Sequence, residues 1–557
     1  MSNPDGLPPK SKYRYFRELH EDGHDSGIVD YDGAILYEAP YSALLNAIVR
    51  YNDVAKLAQY LQNHDHATDG HVEVPYLDPF YIAAQHGSTE ALDLLFIHYN
   101  AHFTNIGRIP LEKREVQLLN VACSNARIET ALYLLDTQLS LASLEAKDDS
   151  SVWQDYETPI LSAADSFTYT PPGFNYDDLE IRAQPARAEG LMNQLLDRGA
   201  SARDMLRSFC DNKHISDTVL SRAISRASYG LVKRLVAEGA DVHVQIMQNI
   251  SLFTGQPEAE TVQGVTPLHL GSLHANINGI QALFDLRGDK ATVSEMVLSK
   301  DSAGRLPLHW AARGAHGPEY HYMIPRGEIV TPVANTIKLL LAIDQNSINV
   351  KDNQGYNALW YAVSGFRESI NQYYDVLKIL FEHGADGNTR DQKGLNMLHV
   401  LGFTKSGEAI EPVIIERLMA HGANLSDVDI RGNTPLNQMA INLRQVEAVR
   451  ALIRCGASMK VKNLKGDTPL HQAAHGIVFR YKDGTGIESH DVPLDAKIRA
   501  QDEMMKTLEE AGDGLDLMNE KNIEGKTPRQ LQEETRNKWR QEEQKRLKRV
   551  YIHRLCL

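Results

Sequence analysis

Apolar residues recur along this chain at helical spacing in short stretches, and glycines punctuate the stretches in a repeating register. Seven openings share that register: Gly264-Val-Thr-Pro-Leu-His269, Gly304-Arg-Leu-Pro-Leu-His309, Gly355-Tyr-Asn-Ala-Leu-Trp360, Gly394-Leu-Asn-Met-Leu-His399, Gly432-Asn-Thr-Pro-Leu-Asn437, Gly466-Asp-Thr-Pro-Leu-His471 and Gly525-Lys-Thr-Pro-Arg529. Their glycines are 40, 51, 39, 38, 34 and 59 residues apart. A second mark ends an apolar helical run at Gly199, Gly239, Gly384, Gly422 and Gly456, each followed by alanine. From that glycine to the next opening the distance is 10 residues three times, at 384 to 394, 422 to 432 and 456 to 466. Constant spacing there places most extra residues between the two helices of a repeat. Repetition also overrides the roughly three or four domains that length alone suggests.

Each recurring residue has a mechanical role. Thr ahead of Pro is an N-cap for an otherwise unbonded backbone N–H. Pro at the first helical position has no N–H to leave unbonded and a preset φ. Leu faces the shared core, and His is placed to hydrogen-bond between neighbouring turns, tying one repeat to the next. Ala311-Ala312 and Ala473-Ala474 let two helices approach closely. The glycine of Gly-Ala-Asp ends a helix in the left-handed conformation, and the chain then returns through a short hairpin. Trp360 and Asn437 stand in place of His, and Arg529 in place of Leu, so those repeats are expected to be less tightly coupled.

The pattern resembles the ankyrin repeat, a unit of about 33 residues with a turn, two helices and a Thr-Pro-Leu-His-x-Ala opening. The resemblance is strongest from 188 to 530 and fades upstream. There Glu157-Thr-Pro-Ile-Leu-Ser-Ala-Ala164 and Leu77-Asp-Pro-Phe-Tyr-Ile-Ala-Ala84 are recognisable openings. Val116 to Cys123, Asp217 to Ala223, and Tyr41 to Ile48 with Val54 to Leu61 are degenerate ones. The expected fold is an all-α ankyrin-repeat solenoid of about eleven helix-turn-helix units with short β-hairpin turns. Its expected organisation is a polar segment over 1–38, degenerate repeats over 39–187, an array with inserted loops over 188–532 and a basic C-terminal helix over 533–557. Insertions at 165–187, 313–333 and 475–500 fall between the helices of a repeat. Gly239 and Gly264 are 25 residues apart, so 241–263 forms an enlarged finger.

Composition narrows the function classes. The 58 basic and 73 acidic residues leave a net charge of −15, which argues against nucleic acid as the principal partner. Hydrophobic content of 42% suits a folded chain, and no apolar run is long enough for a membrane-spanning helix. The opening MSNPDGLPPKSKYRYFRELH lacks the apolar core of a secretory signal. Cys123, Cys210, Cys455 and Cys556 are too scattered for a disulfide framework, and the ending Cys556-Leu557 is not a prenylation box. These readings lead to a cytoplasmic location, with the nucleus left open.

One string invites a catalytic reading. His20-Glu21-Asp22-Gly23-His24-Asp25-Ser26-Gly27-Ile28-Val29-Asp30 is similar to a metzincin zinc site, with Glu21 as general base and Asp30 as third ligand. Only 19 residues precede it, and Asp22-Gly23 is a turn dipeptide inside the would-be helix. The expectation is therefore no metal, no cofactor and no catalytic residue, with a zinc metallopeptidase as the alternative. His269, His309, His399 and His471 are read as structural. The stretch 533–557 carries eight Lys/Arg against four Glu, with Leu531, Trp539, Leu547, Tyr551 and Leu555 on one helical stripe. It is read as a cap on the last repeat, and alternatively as a membrane-surface or calmodulin-type contact.

The ankyrin resemblance implies a non-catalytic protein-interaction scaffold or adaptor that binds a protein partner on its concave face. The loosely punctuated repeats and large inserts also resemble those of filamentous fungi. Some of these proteins are encoded beside toxin or other secondary-metabolite enzymes, which implies an accessory or regulatory role there. By the same resemblance, the residue after the His position faces the concave side: Leu270, Trp310, Tyr361 and Val400, then Gln438 and Gln472. The first four are expected to form an apolar binding stripe, or else to pack against adjacent repeats. The fingers add a basic row of Arg390, Lys393, Arg431, Lys460, Lys462 and Lys465, suited to a partner with apolar anchors and acidic flanks.

Overall fold

The computed structural model describes residues 25–29, 35–63, 78–101, 111, 117–138, 140–145, 157–168, 178–207, 215–250, 260–314, 328–366, 369–406, 408–482, 488–489, 491–512 and 516–555. The chain divides into two compact units, Met1–Val244 and Gln245–Leu557. The division falls at the enlarged finger.

In the first unit an antiparallel hairpin, β1 (Asp25–Val29) and β2 (Ile35–Pro40), leads into paired helices. The pairs are α1 (Tyr41–Arg50) with α2 (Val54–Gln62), α3 (Pro79–His86) with α4 (Thr89–Ala101), and α5 (Leu118–Ser124) with α6 (Ile128–Thr137). Next come α7 (Pro159–Asp165) with α8 (Asp178–Asp197) and, after the hairpin β3 (Met205–Arg207) and β4 (Ile215–Thr218), α9 (Val219–Ala223) with α10 (Tyr229–Ala237). First helices contact one another in the order α1, α3, α5, α7, α9, and second helices in the order α2, α4, α6, α8. The degenerate openings at Tyr41, Val116 and Asp217 thus all mark real helix pairs.

The second unit begins with the enlarged finger, a regular antiparallel hairpin of β5 (Ile246–Ile250) and β6 (Glu260–Val265). Then follow α11 (Pro267–Leu273) with α12 (Ile277–Asp285), the short α13 (Val293–Val297), α14 (Pro307–Arg313) with α15 (Val330–Ile343), and α16 (Ala358–Phe366) with α17 (Tyr374–Glu382). After them stand α18 (Met397–Gly402) with α19 (Pro412–Ala420), α20 (Pro435–Ala440) with α21 (Val446–Arg454), and α22 (Pro469–Ala474). The two-residue strands β7 (Tyr481–Lys482) and β8 (Glu488–Ser489) precede α23 (Leu494–Ala511), and α24 (Pro528–Leu555) closes the unit. Each first helix packs on the next, from α11 through α14, α16, α18, α20 and α22 to α24.

First helices of six to nine residues do not persist alone in water. Their stability comes from the leucine four residues after each turn glycine: Leu268, Leu308, Leu359, Leu398, Leu436 and Leu470 are all 0–1% exposed. Burial of one such side chain contributes about 1.5–3 kcal/mol. Two expectations need correction. Among the described residues of the second unit only β5–β6 and the two-residue pair β7–β8 form antiparallel strand pairs; the remaining turns between repeats are tight turns, with an isolated bridge between Arg390 and Asn396. The insertions are also shorter than the sequence suggests, because α8, α15 and α23 begin at Asp178, Val330 and Leu494, inside them. Pro185 lies within α8, where a sequence reading expects a helix to stop.

α24 covers the end of the array. Leu531 is buried, Trp539 is half-buried, and Arg536 donates to Gln501 Oε1 at 2.7 Å while also pairing with Asp502 on α23. Removal of α24 is expected to expose the apolar faces of α22 and α23 and to lower the melting temperature measured by calorimetry. Leu531→Ala alone should cost about 2–4 kcal/mol in urea denaturation.

Candidate functional site

The signature histidines are enclosed between repeats. The Nδ1 of His269 accepts the backbone N–H of Thr266 (3.2 Å) and lies 2.8 Å from its hydroxyl, and Nε2 reaches Arg305 O at 3.2 Å. His309 accepts from Leu306 N–H (2.8 Å) and reaches Val350 O (3.0 Å). His399 and His471 repeat the arrangement on Asn396 and Thr468, reaching Asn433 O at 2.9 Å and Lys526 O at 3.3 Å. A backbone N–H can only donate, so the Nδ1 of His269, His309 and His471 is the bare nitrogen, and each Nε2–H donates to the next repeat's carbonyl; the Nδ1 of His399 also lies 2.8 Å from Asn396 Oδ1, which can only accept. Burial lowers the pKa of all four, that of His269 and His309 to about 4.

Two departures from the motif keep the coupling that the sequence suggests they lose. Asn437 donates from Nδ2 to Asp467 O (3.2 Å), and its Oδ1 accepts the Thr434 hydroxyl (2.6 Å). In the Trp360 repeat the cap residue takes over: Asn357 accepts the N–H of Trp360 (3.0 Å) and donates to Asp386 O (2.8 Å). Trp360 stacks on Tyr356 with ring centroids 4.7 Å apart. Arg529 is exposed on α24, and Leu531 is the buried residue there.

The turns have their own lock, which sequence reasoning missed. Three residues before six of the seven opening glycines stands an Asp or Asn: Asp301, Asp352, Asp391, Asp429, Asn463 and Asn522. One side-chain oxygen of each accepts two backbone N–H groups of its turn, as Asp391 does from Lys393 (2.8 Å) and Leu395 (2.7 Å). The Asp/Asn-x-x-Gly spacing was present as a signal. Successive turns are also joined backbone to backbone, by Ser302 to Gln263, Asn353 to Ala303, Ile430 to Lys393, Leu464 to Arg431 and Ile523 to Lys465. Such an approach demands glycine. A side chain on Gly394 would lie 2.5 Å from Val428 O, and one on Gly466 would lie 2.9 Å from Ile523 N; both glycines have φ near +74°.

The expected apolar stripe is not on the surface. Leu270, Trp310, Tyr361 and Val400 are all buried, Trp310 and Tyr361 completely. Trp310 packs edge-on against His269 and donates from Nε1 to Asp301 Oδ2 (3.0 Å). Tyr361 packs likewise against His309, donates to Asp352 Oδ2 (2.7 Å) and accepts from Arg305 Nε (2.9 Å). These residues tie first helices to turn carboxylates. Gln438 is buried and Gln472 half-buried. The basic row, by contrast, is exposed: Arg390, Lys393, Arg431, Lys460, Lys462 and Lys465 all face solvent. Arg390 pairs with the buried Asp427 and Lys462 with Glu520 (2.9 Å).

His20, Glu21, His24 and Asp30 lie outside the described residues, while Asp25–Val29 between them is strand rather than helix. Among the described residues no cluster of three or more His, Cys, Asp or Glu could hold a metal ion. In the first unit Arg222 pairs with Glu157 and with Asp217 (3.3 Å), and burial raises the neighbouring Asp165 to about 6.

The buried histidines make the second unit acid-sensitive. Their folded pKa lies below the unfolded value, so their stability is complete above about pH 6.5 and is lost as pH falls toward 4, at roughly 3 kcal/mol each for His269 and His309. His269→Asn places at a Thr-capped turn the residue that Asn437 already provides. It is expected to keep neutral-pH stability within about 1–2 kcal/mol and to flatten the acid loss in urea titrations between pH 6.5 and 4. Trp310→Ala should destabilise by about 3–5 kcal/mol, because it opens a cavity and removes a donor from the buried Asp301. Calorimetry decides this one, since an unchanged melting temperature would mean the indole is not core.

Comparison with known proteins agrees with this geometry. A family model described as ankyrin repeats (3 copies) matches residues 406–481. Rabankyrin-5 of Homo sapiens is 24% identical over 232 residues, a match covering 38% of this chain and 18% of that protein. Rabankyrin-5 of Mus musculus is 23% identical over 232 residues, with the same two shares. The chain therefore spans less than a fifth of the length of these curated relatives. Among the described residues no helix is long and apolar enough to cross a membrane. With its turn glycines and its interlocking histidines beside the matched segment, the chain carries ankyrin repeats over 406–481.

Proposed function

We propose that this chain is a non-catalytic scaffold or adaptor that holds a protein partner on the fingers of its second unit, and that all eleven helix pairs are ankyrin-type repeats. One observation carries the reading. The interlocking polar residues and apolar positions of the first helices are enclosed between repeats, whereas the charged side chains of the fingers face solvent. Function in a stacked array resides in such exposed surface residues. Lys393, Arg431, Lys460 and Lys465 have no ion pair among the described residues, and on a chain of net charge −15 they form a local basic row. A row of this kind accelerates encounter with an acidic partner and selects against a basic one.

The location proposed is the cytoplasm, and the accessory role in a secondary-metabolite pathway is proposed on the fungal resemblance alone. No observation favours membrane docking through α24, where Arg536 and Arg546 are engaged by Asp502, Asp491 and Glu543. The test is affinity capture from native extract with the full chain and with Lys393→Glu, Arg431→Glu, Lys460→Glu and Lys465→Glu combined. The variant is expected to melt at the same temperature and to recover its specific partners about tenfold less well. Identical recovery by both proteins would remove the basic row from the binding surface.

A further inference from the structure

The fingers of the second unit carry an aliphatic pattern besides the charges. Ile430, Leu464 and Ile523 occupy the same place on three successive turns, two residues ahead of Gly432, Gly466 and Gly525. They are 64%, 71% and 76% exposed, the three highest values among the exposed large hydrophobic residues that the structure describes. A single exposed aliphatic side chain is ordinary, but three in register on adjoining turns are a patch. Their own backbone N–H groups make the links between turns, to Lys393 O (2.8 Å), Arg431 O (2.9 Å) and Lys465 O (3.0 Å). The three residues are thus set in a row by the backbone, while their side chains are left to solvent. Val428, 48% exposed, extends the row on the same turn as Ile430. The corresponding residues of the three preceding turns are Ser302, Asn353 and Gln392, so the feature is confined to the C-terminal fingers.

Charge says what fits there. Arg431 adjoins Ile430, Lys465 adjoins Leu464, and Lys393 supplies the carbonyl that Ile430 binds. The carboxylates of the same turns, Asp391 and Asp429, face inward on backbone N–H groups and leave the cations uncompensated. We infer, building on the scaffold reading above, that Ile430, Leu464 and Ile523 with Lys393, Arg431 and Lys465 form a docking strip for a partner protein segment that interleaves aliphatic side chains with carboxylates. Nucleic acid would satisfy the cations and leave the three aliphatic residues in water. A segment of mixed aliphatic and acidic character satisfies both, and the remainder of a chain of net charge −15 repels it from competing surfaces. The aliphatic contacts supply residence time and the cations supply orientation and encounter rate.

The test selects displayed random linear peptides on the immobilised full chain and titrates the enriched peptides against three proteins. These are the natural chain, Ile430→Ser/Leu464→Ser/Ile523→Ser, and Lys393→Gln/Arg431→Gln/Lys465→Gln. Both variants change exposed side chains and should melt like the natural chain. The expected peptides carry a net negative charge and at least two aliphatic residues. Their affinity should fall at least about tenfold in the serine variant, and in the glutamine variant should fall and lose its salt dependence. Peptides that bind all three proteins equally would overturn the strip and leave the scaffold reading standing, with another binding surface. Failure to enrich any peptide would count against both. Concentration-dependent dimerisation abolished by the serine variant, or binding to phosphatidylserine vesicles abolished by the glutamine variant, would overturn the strip in favour of self-association or lipid.

Discussion

A hydrogen bond from one repeat to the next sets the terms for the second unit. The side chain five residues after a turn glycine donates to the carbonyl one residue after the following turn glycine: His269 to Arg305, His399 to Asn433, Asn437 to Asp467 and His471 to Lys526. His309 makes the same kind of bond to Val350. The bond requires a donor in a fixed place, a bare acceptor presented by the next turn, and exclusion of water from both. The turn must therefore be rigid, which Asp or Asn three residues before the glycine achieves by holding two backbone N–H groups at once. The helix that carries the donor must begin at a defined residue, which the cap and the following proline achieve.

Rigid turns then have consequences at the surface. Because adjoining turns are linked through the backbone, their remaining side chains are free to vary without unlocking the array. Ser302 and Ile430 stand at equivalent positions, and both make the same backbone bond. Trp310 and Tyr361 show the opposite case. Their polar edges reach Asp301 and Asp352, so these aromatic residues belong to the lock itself.

Much of this was legible in the sequence, and the limits have physical causes. The glycines, prolines and buried leucines follow from local chemistry, so helix pairs were readable even at Tyr41 and Asp217, where the motif has decayed. Asn437 and Trp360 were misjudged because a motif records residue identity, whereas the structure requires a donor. Asn437 supplies the donor itself, and Asn357 supplies it for the Trp360 repeat. Trp310 and Tyr361 were placed on the surface as well as in the core because helical spacing gives a direction and not what lies in that direction. The basic row was visible as charge, but the exposure of Ile430, Leu464 and Ile523 was not, since an aliphatic residue in sequence reads first as core.

The protonation state of the interlocking histidines tests the central claim most directly. Nitrogen-15 NMR of histidine-labelled protein, with single His→Asn variants for assignment, reports which ring nitrogen carries the proton. The account predicts that His269 and His309 are neutral just below pH 6, with the proton on Nε2 and Nδ1 bare. An imidazolium signal at that pH, or a neutral ring with its proton on Nδ1, would contradict it, because neither state can accept the N–H of the helix cap and donate to the next repeat.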